Sequence, residues 1–117
     1  MKIVYASRTG NVESIVSQLG VDALRITDGS ESVAEDYIIF TYTDGYGDVP
    51  GEVQAFLEGN AANLKGVVVS GDLAYGDAYC GAGDAIAEQY NVPVLYKVEN
   101  AGTDEDIENI KKAIQLS

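Results

Sequence analysis

The chain has 117 residues, 19 acidic against 7 basic side chains, a net charge of -12, one cysteine and no histidine. That length fits one domain, residues 1–117, able to bury roughly two-thirds of the surface its unfolded chain exposes. The acid surplus argues against nucleic acid or a membrane surface as partner, the missing histidine removes Ser-His-Asp, Cys-His and histidine-metal sites, and the lone Cys80 removes a disulfide or a CxxC pair.

Ile3-Val4-Tyr5-Ala6 predicts a first strand, too short an apolar run for a signal sequence or a membrane span, and a single unpartnered thiol fits a reducing, cytoplasmic setting. Val12, Ile15, Val16 and Leu19 then recur at helical spacing up to Gly20. Ala23-Leu24-Arg25-Ile26 reads as a second strand, and the acidic stretch 27–34 leaves room for little helix. Residues 37–42 (Tyr-Ile-Ile-Phe-Thr-Tyr) form a β-rich central run. Pro50 sits at the first turn of a helix with the stripe Val53, Phe56, Leu57, ending at Gly59. A buried strand spans 64–70, a helix is anchored by Ile86 and Tyr90, and a last strand covers 92–96, with Pro93 kept out of the ladder. Thr103 and Asp106 make a capping-box-like start to a helix carrying Ile107, Ile110 and Ile114.

Continuous apolar strands separated by amphipathic helices predict an α/β three-layer sandwich around a five-stranded parallel sheet of order 2-1-3-4-5. That order places a ligand at the carboxyl ends of strands 1, 3 and 4. Three loops meet there. Ser7-Arg8-Thr9-Gly10-Asn11-Val12 offers hydroxyls, an amide side chain and backbone N–H groups, a phosphate cradle without a lysine; an ordinary capped turn reads about equally well from these residues alone. Thr43-Asp44-Gly45-Tyr46-Gly47-Asp48 and Gly71-Asp72-Leu73-Ala74-Tyr75-Gly76-Asp77-Ala78-Tyr79 carry tyrosines beside glycines, a pattern suited to holding a flat ring, or else to packing. Phosphate plus planar ring, without GxGxxG, favours a mononucleotide, with flavin mononucleotide (FMN) the natural candidate. Asp44, Asp48, Asp72 and Asp77 would disfavour negative charge on such a ring; turn chemistry explains them as well, and no metal site is expected. Cys80 reads as a small packing residue.

These three segments, with Val49-Pro50 after the second and the short connection between strands 2 and 3, resemble the NrdI family of flavodoxin-like FMN proteins, and the resemblance runs on through Gly102-Thr103-Asp104-Glu105-Asp106-Ile107-Glu108-Asn109. It implies an FMN-binding accessory flavoprotein, a redox activator and not a turnover enzyme. Reduced by a flavin or thiol-linked reductant, it reacts with O2, and the superoxide or peroxide passes to the small, radical-bearing subunit of a class Ib ribonucleotide reductase, in its dimanganese-tyrosyl or metal-free form. By the same match, the loop 7–12 would hold the phosphate, the loop 43–48 would cover the flavin N5 edge, and the loop 71–79 would bind the other side. Gly45, with Gly47, would let a peptide beside N5 turn over on reduction. The chain departs from the family pattern at Asp72-Leu73-Ala74, where amides and an arginine are usual, at Arg8, which would pair with phosphate or balance the acidic surface, and at Cys80, where glycine is common. The alternatives are an electron-transfer flavodoxin and, strongly discounted for want of the required aspartates and lysine, a receiver-type signalling domain.

Overall fold

The computed structural model describes residues 2–44 and 47–115, apart from the side chains of Tyr75, Asp77, Ala78 and Gln115. Five strands, β1 (Lys2–Tyr5), β2 (Ala23–Arg25), β3 (Tyr37–Tyr42), β4 (Leu64–Gly71) and β5 (Val94–Glu99), pair in parallel in the order β2-β1-β3-β4-β5. Among the described residues four α-helices accompany them: α1 (Asn11–Ser17), α2 (Gly51–Asn60), α3 (Gly81–Tyr90) and α4 (Asp104–Gln115). The expected doubly wound order is therefore present.

Neighbouring residues of each strand face opposite layers, so the continuous apolar runs feed two cores at once. Ile3, Ile38, Phe40 and Val68 pack with α1 and α4 on one face; Val4, Ile39 and Val67 pack with α2 and α3 on the other. Tyr37 meets Phe56 edge to face, 5.6 Å between centroids, inside the second core. At the start of α4, the Thr103 hydroxyl accepts from the Asp106 amide and the Asp106 carboxylate accepts from the Thr103 amide, the reciprocal cap its sequence announced.

Several boundaries differ from the sequence expectation by a residue or more, three of them for a visible physical reason. The helix stripe through Leu19 closes early: α1 ends at Ser17, and the amides of Gln18 and Leu19 bond three residues back, tightening the last turn. The second strand stops at Arg25, although Ile26 still donates to the Tyr5 carbonyl. The last strand runs Val94–Glu99, two to three residues later than 92–96, because Pro93 has no N–H; it joins the sheet only through its carbonyl, which accepts from Val67. Among the described residues no helix is long and apolar enough to cross a membrane.

The connection between β2 and β3 contains no helix, as its composition suggested. Side chains organise it instead. The Glu31 carboxylate accepts from the Thr27 amide (2.8 Å), the Thr27 hydroxyl (2.6 Å) and the Gly29 amide (3.0 Å). These bonds, Thr27 first, hold its carboxyl down to about 2 from an ordinary 4.5. A folded value below the unfolded one means the contribution is complete above about 4.5 and drains away as pH falls toward 2. Acid unfolding followed by circular dichroism should accordingly be shallower for Glu31→Gln than for the wild type across that window, from a lower plateau at neutral pH. Equal slopes would remove Glu31 as a contributor.

Candidate functional site

The carboxyl ends of β1, β3 and β4 open into a cleft of about 160 Å3. On the β1 side the first loop enters α1 through Gly10, at φ +94°, a left-handed turn that an L side chain resists. Gly10 carries no capping side chain, and the Ser7 hydroxyl, three residues earlier, accepts from the Glu13 amide at 3.2 Å. The backbone amides of Asn11 and Val12 meet no protein acceptor among the described residues, as first-turn donors characteristically do. Arg8, Thr9 and Asn11 line the cleft.

Arg8 does not stand free over it. Its guanidinium forks onto the Asp44 carboxylate at 3.0 and 3.2 Å and lies over the Tyr42 ring, 4.9 Å from the centroid. The Asp44 interaction, first among the causes, raises the Arg8 pKa further. The first two loops are thus tied across 36 residues of chain. The Tyr42 hydroxyl donates to Glu52 at 2.6 Å, and burial, then Glu52, pushes its pKa to about 12.

The second loop is pinched by two backbone bonds, Asp44 amide to Asp48 carbonyl (2.9 Å) and Asp48 amide to Asp44 carbonyl (2.7 Å). Its Gly47, at φ +100°, rests against Gly81 at the start of α3 so closely that a Cβ on Gly81 would sit 2.7 Å from the Gly47 Cα. Thr43 donates to the Ser70 carbonyl at 3.0 Å, and Ser70 in turn donates to the Asn100 carbonyl at 2.7 Å, fixing the ends of β3, β4 and β5 together.

The third loop leaves β4 through an Asx turn, the Asp72 carboxylate accepting from the Ala74 amide at 2.9 Å, and continues as 3-10 turns over Leu73–Ala78. Cys80 follows, fully buried, its thiol donating to the Val69 carbonyl at 3.5 Å; burial raises its pKa.

The sequence profile described as "NrdI Flavodoxin like" matches residues 3–112. The chain belongs to the NrdI flavodoxin-like family. It is 42% identical to Protein NrdI of Macrococcus caseolyticus over 113 residues, covering 95% of this chain and 88% of that one. It is 37% identical to the SPbeta prophage-derived protein NrdI of Bacillus subtilis over 118 residues, covering 97% and 91%. In fold it is similar to a short-chain flavodoxin associated with a non-canonical PDU bacterial microcompartment (TM-score 0.69, 22% identity, 97% and 93% covered) and to two-electron reduced Megasphaera elsdenii flavodoxin (TM-score 0.68, 20% identity, 99% and 98% covered).

Of the residues singled out from sequence, this NrdI-family chain brings Arg8, Thr9, Asn11, Thr43, Gly71 and Asp72 to one cleft. Val12 points its side chain into the core under α1, and Asp48 borders a different hollow, between α2 and α3. Leu73 is exposed, at 57%. Tyr79 packs with Val69, Cys80 and Ala82, and burial, then Cys80, raises its pKa. Gly45 and Tyr46 lie outside the described residues, as do the side chains of Tyr75 and Asp77. Tyr42, Ser70 and Asn100 also line the cleft and were not anticipated. Their signal was positional: each lies within a residue of the carboxyl end of a strand, at the edge where the 2-1-3-4-5 order puts ligands.

Proposed function

We propose that this NrdI-family protein binds FMN at the cleft, with the phosphate at residues 7–12, and in its reduced form furnishes an O2-derived oxidant for assembling the radical cofactor in the small subunit of a class Ib ribonucleotide reductase. The observation that carries the reading is the meeting of the first-loop donors with Thr43, Gly71 and Asp72 in one cleft of a family member.

The donor set fits a phosphate. The Asn11 and Val12 amides have no protein acceptor among the described residues, and the Ser7 hydroxyl, whose lone pair is taken by Glu13, keeps its proton to donate. Uncharged donors seat an anion with little need of lysine, which suits a chain of net charge -12. Bound there, the flavin supplies the electron transfer to O2. The residues supply orientation and charge. The Arg8–Asp44 pair fixes the edge between the first and second loops, and Tyr42 stays protonated as a donor to Glu52. Asp72, which lines the cleft, would disfavour added negative charge on the ring and so lower its reduction potential, whereas the Asp44 carboxylate is compensated by Arg8. The acidic surface favours a partner with a basic docking face.

Titration of apo-protein with FMN should quench flavin fluorescence at micromolar concentrations, leaving a yellow protein. The reduced holoprotein should then consume O2 and raise the tyrosyl-radical signal of a manganese-loaded small subunit. Absence of binding removes the whole reading. Binding without radical formation, with electrons passed on instead, replaces the activator role by that of an electron-transfer flavodoxin.

A further inference from the structure

Arg25 ends β2, outside the cleft, yet it grips the first loop. One guanidinium nitrogen donates to the Ser7 carbonyl at 3.1 Å, another pairs with the Glu13 carboxylate, and the group lies 5.8 Å from the centroid of the Tyr5 ring. Glu13 in turn donates its amide to the Ser7 hydroxyl. Ser7, Arg25 and Glu13 therefore close a ring in which Ser7 is held at its carbonyl by one partner and at its hydroxyl by the other.

We infer that Arg25 is a positioning residue for the phosphate loop, holding the Ser7–Arg8 peptide so that the Arg8 amide faces the cleft. In a trans peptide the C=O and the following N–H point in opposite directions. β2 lies on one side of β1, and β3 and β4, with the cleft, lie on the other. A Ser7 carbonyl held by Arg25, at the end of β2, thus turns the Arg8 N–H away from β2 and toward the cleft side; separately, the Arg8 side chain reaches Asp44 and Tyr42 there. The inference rests on the FMN reading above and adds a residue remote from the ligand.

Arg25 acts here by geometry and not by its charge. Glu13 already neutralises it, and with side chains 43% and 51% exposed the pair adds little to stability. Its loss should leave the fold intact and appear in recognition of the phosphate alone. FMN and riboflavin, which differ only in that phosphate, are the probes. Arg25→Met should weaken FMN binding about tenfold, the scale of a lost charge-assisted hydrogen bond, and leave riboflavin affinity within about twofold. Arg25→Lys, which keeps the charge and loses the fork, should also weaken FMN. Glu13→Gln, which unmasks the charge, should not tighten it. Equal loss of both flavins in Arg25→Met, or loss of neither, overturns the inference. So does wild-type behaviour in Arg25→Lys or tighter FMN in Glu13→Gln, either of which would make Arg25 a counter-charge. Wild-type protein that binds neither flavin removes the FMN reading itself, and this inference with it.

Discussion

Asn60→Ala should destabilise the protein by about 2–4 kcal/mol, because one substitution orphans several partly buried backbone groups together. Asn60 closes α2 and is 9% exposed. Its Oδ1 accepts from the Val33 amide at 2.9 Å, and its Nδ2 donates to the carbonyls of Glu31 (3.0 Å) and Phe56 (2.9 Å). It thus supplies, from a helix end, the partners that the helix-free connection lacks. At this chain length the expected loss is a Tm drop on the order of 10 °C, with the urea midpoint falling and m unchanged. Asn60→Asp should be worse at neutral pH, since a carboxylate would then face two carbonyl oxygens. It should recover as pH falls: with a folded pKa raised above the unfolded one, the contribution is complete below the unfolded value and is lost as pH rises through the folded one. A loss below about 1 kcal/mol in Asn60→Ala would mean that water satisfies these groups as well as the side chain does.

The same connection shows what the sequence makes legible. Its lack of helix follows from composition, and the sheet order follows from the apolar runs at 37–40 and 67–69 with the helical stripes between them. The partners that hold the connection do not follow, because Val33 and Asn60 are 27 residues apart and neither carries a local signal of the other. The candidate site divides in the same way. Strand ends locate the three loops, so Thr9, Asn11, Thr43 and Asp72 are found by topology alone. The Arg8–Asp44 fork spans 36 residues and emerges only when β1 and β3 are laid side by side. Tyr79 shows a different limit: glycines and aspartate nearby suggest a ring-binding aromatic, while its partly buried packing beside Val69 and Cys80 emerges only from the fold.

Gly81→Ala should damage the site more than the fold. The new Cβ would stand 2.7 Å from the Gly47 Cα and 3.1 Å from its carbonyl oxygen, contacts with backbone that no rotamer change relieves. α3 is fixed by its packing on β4 and β5, so the second loop, closed on itself by the Asp44–Asp48 bridge, is the part that yields. Overpacking of this kind costs about 1–3 kcal/mol. If that loop covers the flavin, FMN affinity should fall at least about tenfold. Two further glycines separate the effects. Gly83→Ala drives a Cβ to 2.5 Å from a Val69 methyl, inside the core, and should cost comparable stability with a smaller effect on FMN. Gly59→Ala meets nothing within 4 Å on α2 and should be neutral or stabilising by up to about 1 kcal/mol. Thermal melts and FMN titrations of the three variants decide the matter. Equal weakening of FMN by Gly81→Ala and Gly83→Ala would trace the loss to general destabilisation, and the seat of the second loop on α3 would then carry no role in holding the cofactor.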